Sequence, residues 1–183
     1  GKSRIIGLIV AYLQNQFYPE ALEKLSARLQ SKGYHVLIFL ASNTQGDVEG
    51  VVEEILDYQV DGIITASASL SSSLSAQCER ANIPVVMFNR IDLSSNAHCV
   101  TSDNYKGGYD IADYLIRCGH QRISYIAGWE GASTQRDRER GFLDGLNAAG
   151  KALHSRAVGN YNHDEAIIAA REIFAAKDIP DAL

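Results

Sequence analysis

The chain has 183 residues, which is enough for one sizeable domain or for two small lobes. Hydrophobic residues make up 46% and charged residues 21%, the balance of an ordinary globular protein. The formal net charge is −5, and no run of Lys or Arg exceeds two residues. The sequence therefore does not predict the basic patch that is typical of a nucleic-acid-binding surface.

The cysteines Cys78, Cys99 and Cys118 are odd in number and widely spaced. This pattern predicts free thiols in a reducing compartment, and neither a disulfide framework nor a metal site. The apolar segment at residues 5–13 is too short to span a membrane and lacks a signal-peptide cleavage pattern. We therefore expect a cytoplasmic protein with no membrane partner.

The first hundred residues alternate between short apolar runs and helical patterns. Strands are predicted at residues 5–10, 35–40, 62–64 and 84–88. A first helix is predicted with Pro19 in its first turn and Gly33 at its end. Two more are predicted after Asp47 and over residues 70–81. A polar loop over residues 89–96 follows the fourth strand.

The second part of the chain continues the alternation. Short strands are predicted at residues 99–101 and 122–127, and helices at residues 104–118, 136–149 and 164–176. Gly119 and Gly150 are expected to end two of these helices. Strands separated by helices of this length predict βαβ units and therefore doubly wound parallel sheets. The expected fold is α/β with two lobes, residues 1–101 and 102–183, the second lacking the strand that should follow its last helix.

The turn after the first strand contains no glycine between residues 11 and 18. A dinucleotide-binding turn needs glycines so that the backbone can approach a pyrophosphate. The turn offers instead the amide of Asn15 and the rings of Phe17 and Tyr18. These residue types suit stacking on one face of a small ligand with hydrogen bonds at its edge, or else the two rings are ordinary core residues.

Three further segments lie at predicted carboxyl ends of strands, where ligands bind in open α/β sheets. They contain Ser67, the pair Asn89 and Arg90, and residues 129–138. Arg138 is predicted near the start of its helix. An arginine there is most often a solvated charge, but its planar guanidinium group also suits two simultaneous hydrogen bonds to hydroxyls or to a carboxylate.

Enzyme motifs are missing from the sequence. The five histidines form no H-E-x-x-H pattern, and neither a G-x-S-x-G elbow nor a phosphate-binding G-x-x-x-x-G-K-[ST] loop occurs. The sequence therefore predicts no catalytic residue, no metal ligand and no cofactor.

Six short elements, in the same order along nearly the whole chain, resemble the effector-binding domain of lac-repressor/gal-repressor regulators, which is related to periplasmic sugar-binding proteins. The elements and their family patterns are residues 13–18 (N-x-F-F), 60–64 (V-D-G-I-I), 83–90 (I-P-V-V…D-R), 102–108 (x-D-N…G-G), 119–123 (G-H-x-x-I), and Arg138 with Gly141 and Phe142 (R-x-x-G-F). Each element alone is weak, and the specificity comes from their order.

The resemblance implies a two-lobed clamp that holds its ligand in the cleft. The ligand contacts that it implies are Asn15, Phe17, Tyr18, Asn89, Arg90 and Arg138, with Asp103 and Ser67 as weaker matches. The family often has aspartate where this chain has Asn89. Because an amide both donates and accepts, the ligand preference is expected to differ.

The resemblance also implies a transcriptional regulator. Its effector is expected to be a small polar molecule, a sugar, and hinge closure around the effector is expected to change the affinity for DNA. A DNA-binding headpiece would precede Gly1, and the regulator would be a homodimer. The alternatives are a periplasmic sugar-binding protein of a transporter and an enzyme built on a similar sheet. The sequence leaves open the effector, the operator and the sign of the response.

Overall fold

The computed structural model describes residues 3–11, 17–41, 45–67, 72–91 and 97–183. The chain divides into two compact units, Gly1–Thr101 and Ser102–Leu183. Both contain a parallel sheet with helices, so the predicted α/β class is confirmed. Within the described ranges, no helix is both long enough and apolar enough to cross a membrane.

The first unit is built on a five-stranded parallel sheet. Its strands are β1 Ile5–Val10, β2 His35–Leu40, β3 Gly62–Ala66, β4 Val85–Phe88 and β5 His98–Val100. Its helices are α1 Phe17–Ser31, α2 Gln45–Asp57 and α3 Ser72–Arg80. The strand order is β2-β1-β3-β4-β5, which is the doubly wound arrangement that the alternation predicts.

The inner strands β1, β3 and β4 are covered on both faces, which is why they are continuous apolar runs, whereas the edge strands β2 and β5 are partly exposed. On one face, Ile9 and Ile63 pack with Val52 and Ile55 of α2 and with Cys78 of α3. On the other face, the strand residues Leu8, Val10 and Ala66 pack with Tyr18 and Leu22 of α1. Because all five strands are parallel, their carboxyl ends lie along one edge of the sheet.

The second unit contains a pair of parallel strands and three helices. Its elements are α4 Asn104–Arg117, β6 Tyr125–Ala127, α5 Ser133–Ala148, β7 Arg156–Val158 and α6 His163–Ala175. Strands β6 and β7 pair in parallel, and one further parallel bridge joins Ile123 to Ala182 after α6. The core of this unit is formed by Ala112, Ile123, Phe142 and Leu146.

Several predicted boundaries are wrong. Helix α2 begins at Gln45, so Asp47 lies inside the helix and not before it. Helix α5 begins at Ser133 and not at residue 136, because its first turn buries polar residues that give no apolar periodicity. Strand β7 was not predicted, since three residues in a partly exposed position carry little apolar signal.

The predicted helix ends are confirmed. Gly33, Gly119 and Gly150 have φ values of 80°, 92° and 67°, a left-handed conformation that glycine adopts without a steric cost.

Candidate ligand-binding site

The carboxyl ends of β1 and β3 lie side by side in the sheet, and the helices that come next along the chain, α1 and α3, pack on opposite faces of it. Such a reversal of strand order opens a crevice in doubly wound sheets. Residues 12–16 follow β1 and lie outside the described residues, so the prediction for Asn15 has no structural outcome. Ser67 follows β3, and Asn89 and Arg90 follow β4.

Four of the predicted site residues form one hydrogen-bonded group, here called the strand-end cluster: Tyr18, Ser67, Asn89 and Arg90. The hydroxyls of Tyr18 and Ser67 are hydrogen-bonded to each other. Asn89 Nδ2 donates to the Tyr18 hydroxyl at 2.7 Å, and Arg90 Nε donates to the Ser67 carbonyl at 3.1 Å. The structure thus brings together residues that are up to 72 positions apart, from Tyr18 to Arg90.

The backbone is left-handed at two members of the cluster. Ser67 has φ 63° and Asn89 has φ 59°. Asparagine adopts this conformation more readily than most residues, whereas serine pays a steric cost. Both turns are fixed to neighbouring strands, because Ser67 N donates to Phe88 O at 3.2 Å and Asn89 N donates to Val100 O at 2.8 Å. These bonds hold the side chains at the sheet edge in defined directions.

The two aromatic residues of the first turn have different surroundings. The Tyr18 side chain is buried, and its ring belongs to the core on the α1 face, so only its hydroxyl serves the cluster. Phe17 is 46% exposed. Its ring stacks on Phe88 with centroids 5.8 Å apart and meets the Tyr18 ring edge-on at 5.2 Å. Phe17 therefore offers the open apolar surface, and Tyr18 offers the polar atom.

In the second unit, Arg138 lies in the second turn of α5, farther from the helix start than the sequence predicted. Its Nε donates to Asn104 Oδ1 at 2.8 Å. Both side chains line a cavity of about 550 Å³ together with Asp103 and Tyr125. The two terminal nitrogens of Arg138 make no hydrogen bond to any residue that the structure describes. These nitrogens are the part of the guanidinium that suits a ligand oxygen.

Asp103 has a local structural role. It is the N-cap of α4, and its Oδ1 accepts from the backbone N–H of Lys106 at 2.9 Å. A cap of this kind satisfies one of the helix donors that have no partner inside the helix. The carboxylate is therefore partly occupied, which makes Asp103 the least suited of the predicted contacts in this unit.

Two aromatic residues at the carboxyl ends of β6 and β7 were not among the predicted contacts. Tyr161 is 43% exposed and has φ 58°. It covers Gly128, where a Cβ would lie 2.2 Å from the tyrosine ring. Trp129 packs in the same way on Gly131. Trp129 could have been found from its place after a predicted strand. Tyr161 could not, because it follows β7, and the sequence did not predict β7.

Charged residues beside α5 form an ion-pair network. Arg156 donates to Glu139 at 2.5 Å through Nε and to Glu130 at 2.7 Å through Nη2. The hydrogen bond from Arg156 lowers the pKa of Glu139 below its usual value of 4.5. In the described part of the chain, no group of three or more His, Cys, Asp or Glu side chains is placed to hold a metal ion.

Residues 3–182 match the family model described as periplasmic binding proteins and sugar binding domain of LacI family. The transcriptional repressor PurR of Vibrio vulnificus is 26% identical over 184 residues, which cover 99% of this chain and 55% of that protein. The maltose regulon regulatory protein MalI of Escherichia coli is 31% identical over 156 residues, 85% of this chain and 46% of that protein. The chain thus spans about half the length of these curated relatives.

Solved structures agree with this match. A periplasmic binding protein/LacI transcriptional regulator from Alkaliphilus metalliredigens, complexed with D-xylulofuranose, is 26% identical with a TM-score of 0.79, over 87% of this chain and 58% of that one. The Cra regulator of Pseudomonas putida shows the fold at 19% identity, with a TM-score of 0.90 over 99% of this chain and 68% of that one. The predicted resemblance is confirmed: the chain belongs to the family of periplasmic binding proteins and LacI-type sugar-binding domains.

Proposed function

We propose that this chain is the effector-sensing part of a transcriptional regulator, and that its effector is a small polar molecule of the sugar class. Family membership and the repressors among its relatives support the first part. The observation that carries the second part is the strand-end cluster, which presents fixed hydroxyl and amide groups at the switch point of the sheet. Such convergent polar groups beside an exposed ring suit a sugar.

Each side chain has a distinct role in this proposal. Phe17 packs against an apolar face of the sugar, while Tyr18, Asn89 and Asn15 hydrogen-bond its hydroxyls. Arg90 is 2% exposed, and its hydrogen bond to the Ser67 carbonyl fixes the turn that follows β3. Arg138 binds the effector through its terminal nitrogens, because its Nε is already occupied. Asp103 and Ser67 contribute mainly by shaping their turns.

The proposed effector acts on the regulator by shifting the equilibrium between two forms of the protein. It can do so only by its difference in affinity for those two forms. The regulator as a whole would be a cytoplasmic homodimer that binds DNA through a headpiece outside this chain. The alternative is a periplasmic sugar-binding protein of a transporter. The upstream segment of the gene distinguishes the two, because it would encode a helix-turn-helix in the regulator and a signal peptide in the periplasmic protein.

We further propose that the effector is bound and released unchanged. Incubation of the chain with each sugar, followed by proton NMR of the sugar, tests this directly. Unaltered spectra after many hours agree with a binding domain. Conversion of any sugar at more than one turnover per chain contradicts it.

The binding proposal is tested by a thermal-shift panel of D-glucose, D-ribose, D-xylose, sucrose, cellobiose and fructose 1-phosphate. A ligand at about 100 times its dissociation constant stabilises the protein by roughly 2.7 kcal/mol, a rise in Tm of about 5 to 10 °C. Arg138→Ala is expected to reduce the rise to about half or less, because binding about tenfold weaker leaves roughly 1.4 kcal/mol of stabilisation at the same ligand concentration. Arg140→Ala is the matched control, since Arg140 lies on the same helix but pairs with Asp137 at the surface. No rise with any compound contradicts the proposed ligand class.

A further inference from the structure

The polypeptide around Arg138 shows how its guanidinium is held. Asn104 is 6% exposed, and its side chain lies between the start of α4 and the second turn of α5. Its Nδ2 donates to the Ser102 carbonyl at 3.0 Å. That bond fixes which end of the carboxamide is the oxygen, so Oδ1 faces Arg138 and accepts from Nε at 2.8 Å.

The same two helices touch backbone to backbone one turn farther along. A Cβ at Gly108 would lie 2.0 Å from Arg138 O, and a Cβ at Gly141 would lie 1.9 Å from Tyr105 O. Only glycine permits this approach. The glycine contacts set the distance between the helix backbones, and the hydrogen bond between Asn104 and Arg138 is the polar contact that sets the side-chain direction.

We infer that Asn104 is a positioning residue that presets the Arg138 guanidinium for the effector. The inference rests on the proposed function of Arg138. By occupying Nε, Asn104 fixes the plane of the guanidinium at a cavity that Arg138 lines, and it leaves both terminal nitrogens for a ligand. An arginine has many rotamers, and fixing one of them before binding removes an entropic cost from association.

Arginine Nε–H resonances test the inference without any ligand. A hydrogen-bonded, half-buried Nε–H exchanges slowly with water and gives a sharp ¹⁵N–¹H signal, assigned to Arg138 by its loss in Arg138→Lys. Asn104→Ala is expected to broaden or remove this signal. Asn104→Asp retains an acceptor oxygen and is expected to restore it. An unchanged Nε–H signal in Asn104→Ala overturns the inference.

A matched control comes from the same pair of helices. Tyr105 donates its hydroxyl to Asp144 at 2.9 Å, also between α4 and α5. Tyr105→Phe removes one hydrogen bond between the helices, as Asn104→Ala does, but it leaves Arg138 alone. We expect the Arg138 signal to survive in Tyr105→Phe. Loss of the signal in both variants would show general loosening of the helix pair and would also overturn the inference.

Binding gives the functional readout. For the sugar of the panel with the largest thermal shift, Asn104→Ala is expected to weaken affinity about tenfold, whereas Asn104→Asp and Tyr105→Phe stay within about twofold. If no panel sugar binds, the proposed function fails, and the Nε–H signal alone decides whether Asn104 positions Arg138. If a sugar binds and Asn104→Ala binds it equally well, the positioning role fails while the proposed function stands.

Discussion

The two units fix their candidate ligand contacts by different physical means. In the first unit, the polar groups follow the ends of β3 and β4, and the left-handed backbone at Ser67 and Asn89 directs them. In the second unit, Arg138 is part of a regular helix, and close packing of that helix on α4 sets its place.

This difference predicts different sensitivity to mutation. A site at strand ends depends on the conformation of single residues and on a few hydrogen bonds, so its variants lose function with a moderate loss of stability. A site on packed helices depends on the helix contact itself, so a change at the contact disturbs the fold of the whole unit.

The largest expected effect is therefore at the glycine contact between α4 and α5. Gly108→Ala places a Cβ 2.0 Å from Arg138 O, and backbone cannot yield as a side chain can. We expect a loss of about 3 kcal/mol in the free energy of unfolding, measured by urea denaturation.

The neighbouring glycine supplies the control. Gly107 lies in the same helix, and a Cβ there meets nothing within 4 Å. Gly107→Ala is expected to stabilise the helix by up to about 1 kcal/mol. Equal effects of the two substitutions would contradict the role of the close helix approach.

A smaller effect is expected at Asn89, in the strand-end cluster. Asn89→Gly loses the 2.7 Å hydrogen bond to Tyr18, worth about 1 kcal/mol. Asn89→Ala loses the same bond and in addition strains the left-handed backbone by roughly 1–2 kcal/mol. Thermal unfolding should therefore place Asn89→Ala below Asn89→Gly. The reverse order would show that the backbone conformation at this position does not matter.

The smallest effect is expected in the ion-pair network beside α5. Because the folded-state pKa of Glu139 is lowered, its contribution is present above its usual pKa of 4.5 and is lost as the pH falls through the folded value. At pH 7, Glu139→Gln should cost about 0.5–1 kcal/mol, and the difference from the native chain should shrink at pH 3.5. Glu23→Gln, an exposed carboxyl on α1, serves as the control. A difference that does not depend on pH would contradict the ionic origin.

The sequence predicted much of the first unit, because its longer strands are apolar runs both inside the sheet and, for β2, at its partly exposed edge. The segments at residues 5–10 and 35–40 were predicted at their observed bounds. The sequence also predicted that Ser67, Asn89 and Arg90 follow strands. It gave no sign that Tyr18 would join them through its hydroxyl while its ring enters the core, since that depends on how α1 packs.

The second unit was less predictable, because the length and burial of a strand determine how clearly its apolar pattern stands out in the sequence. Its strands are short, and β7 is only partly buried, so the apolar signal is weak. Tyr161, which lies beyond β7, was missed together with the strand. The sequence marked Asn104 only as part of a motif, because its contact with Arg138, 34 positions along the chain, depends on the packing of two helices.

The central claim is that the predicted contacts Phe17 and Arg138 both bind the effector, and isothermal titration calorimetry with the most stabilising sugar of the panel tests it most directly. Phe17→Ala removes an exposed ring in the first unit, and Arg138→Ala removes the guanidinium in the second. We predict that each substitution weakens binding about tenfold or more, while Arg140→Ala binds like the native chain. Native affinity in either Phe17→Ala or Arg138→Ala would remove that residue from the ligand contacts and contradict the account.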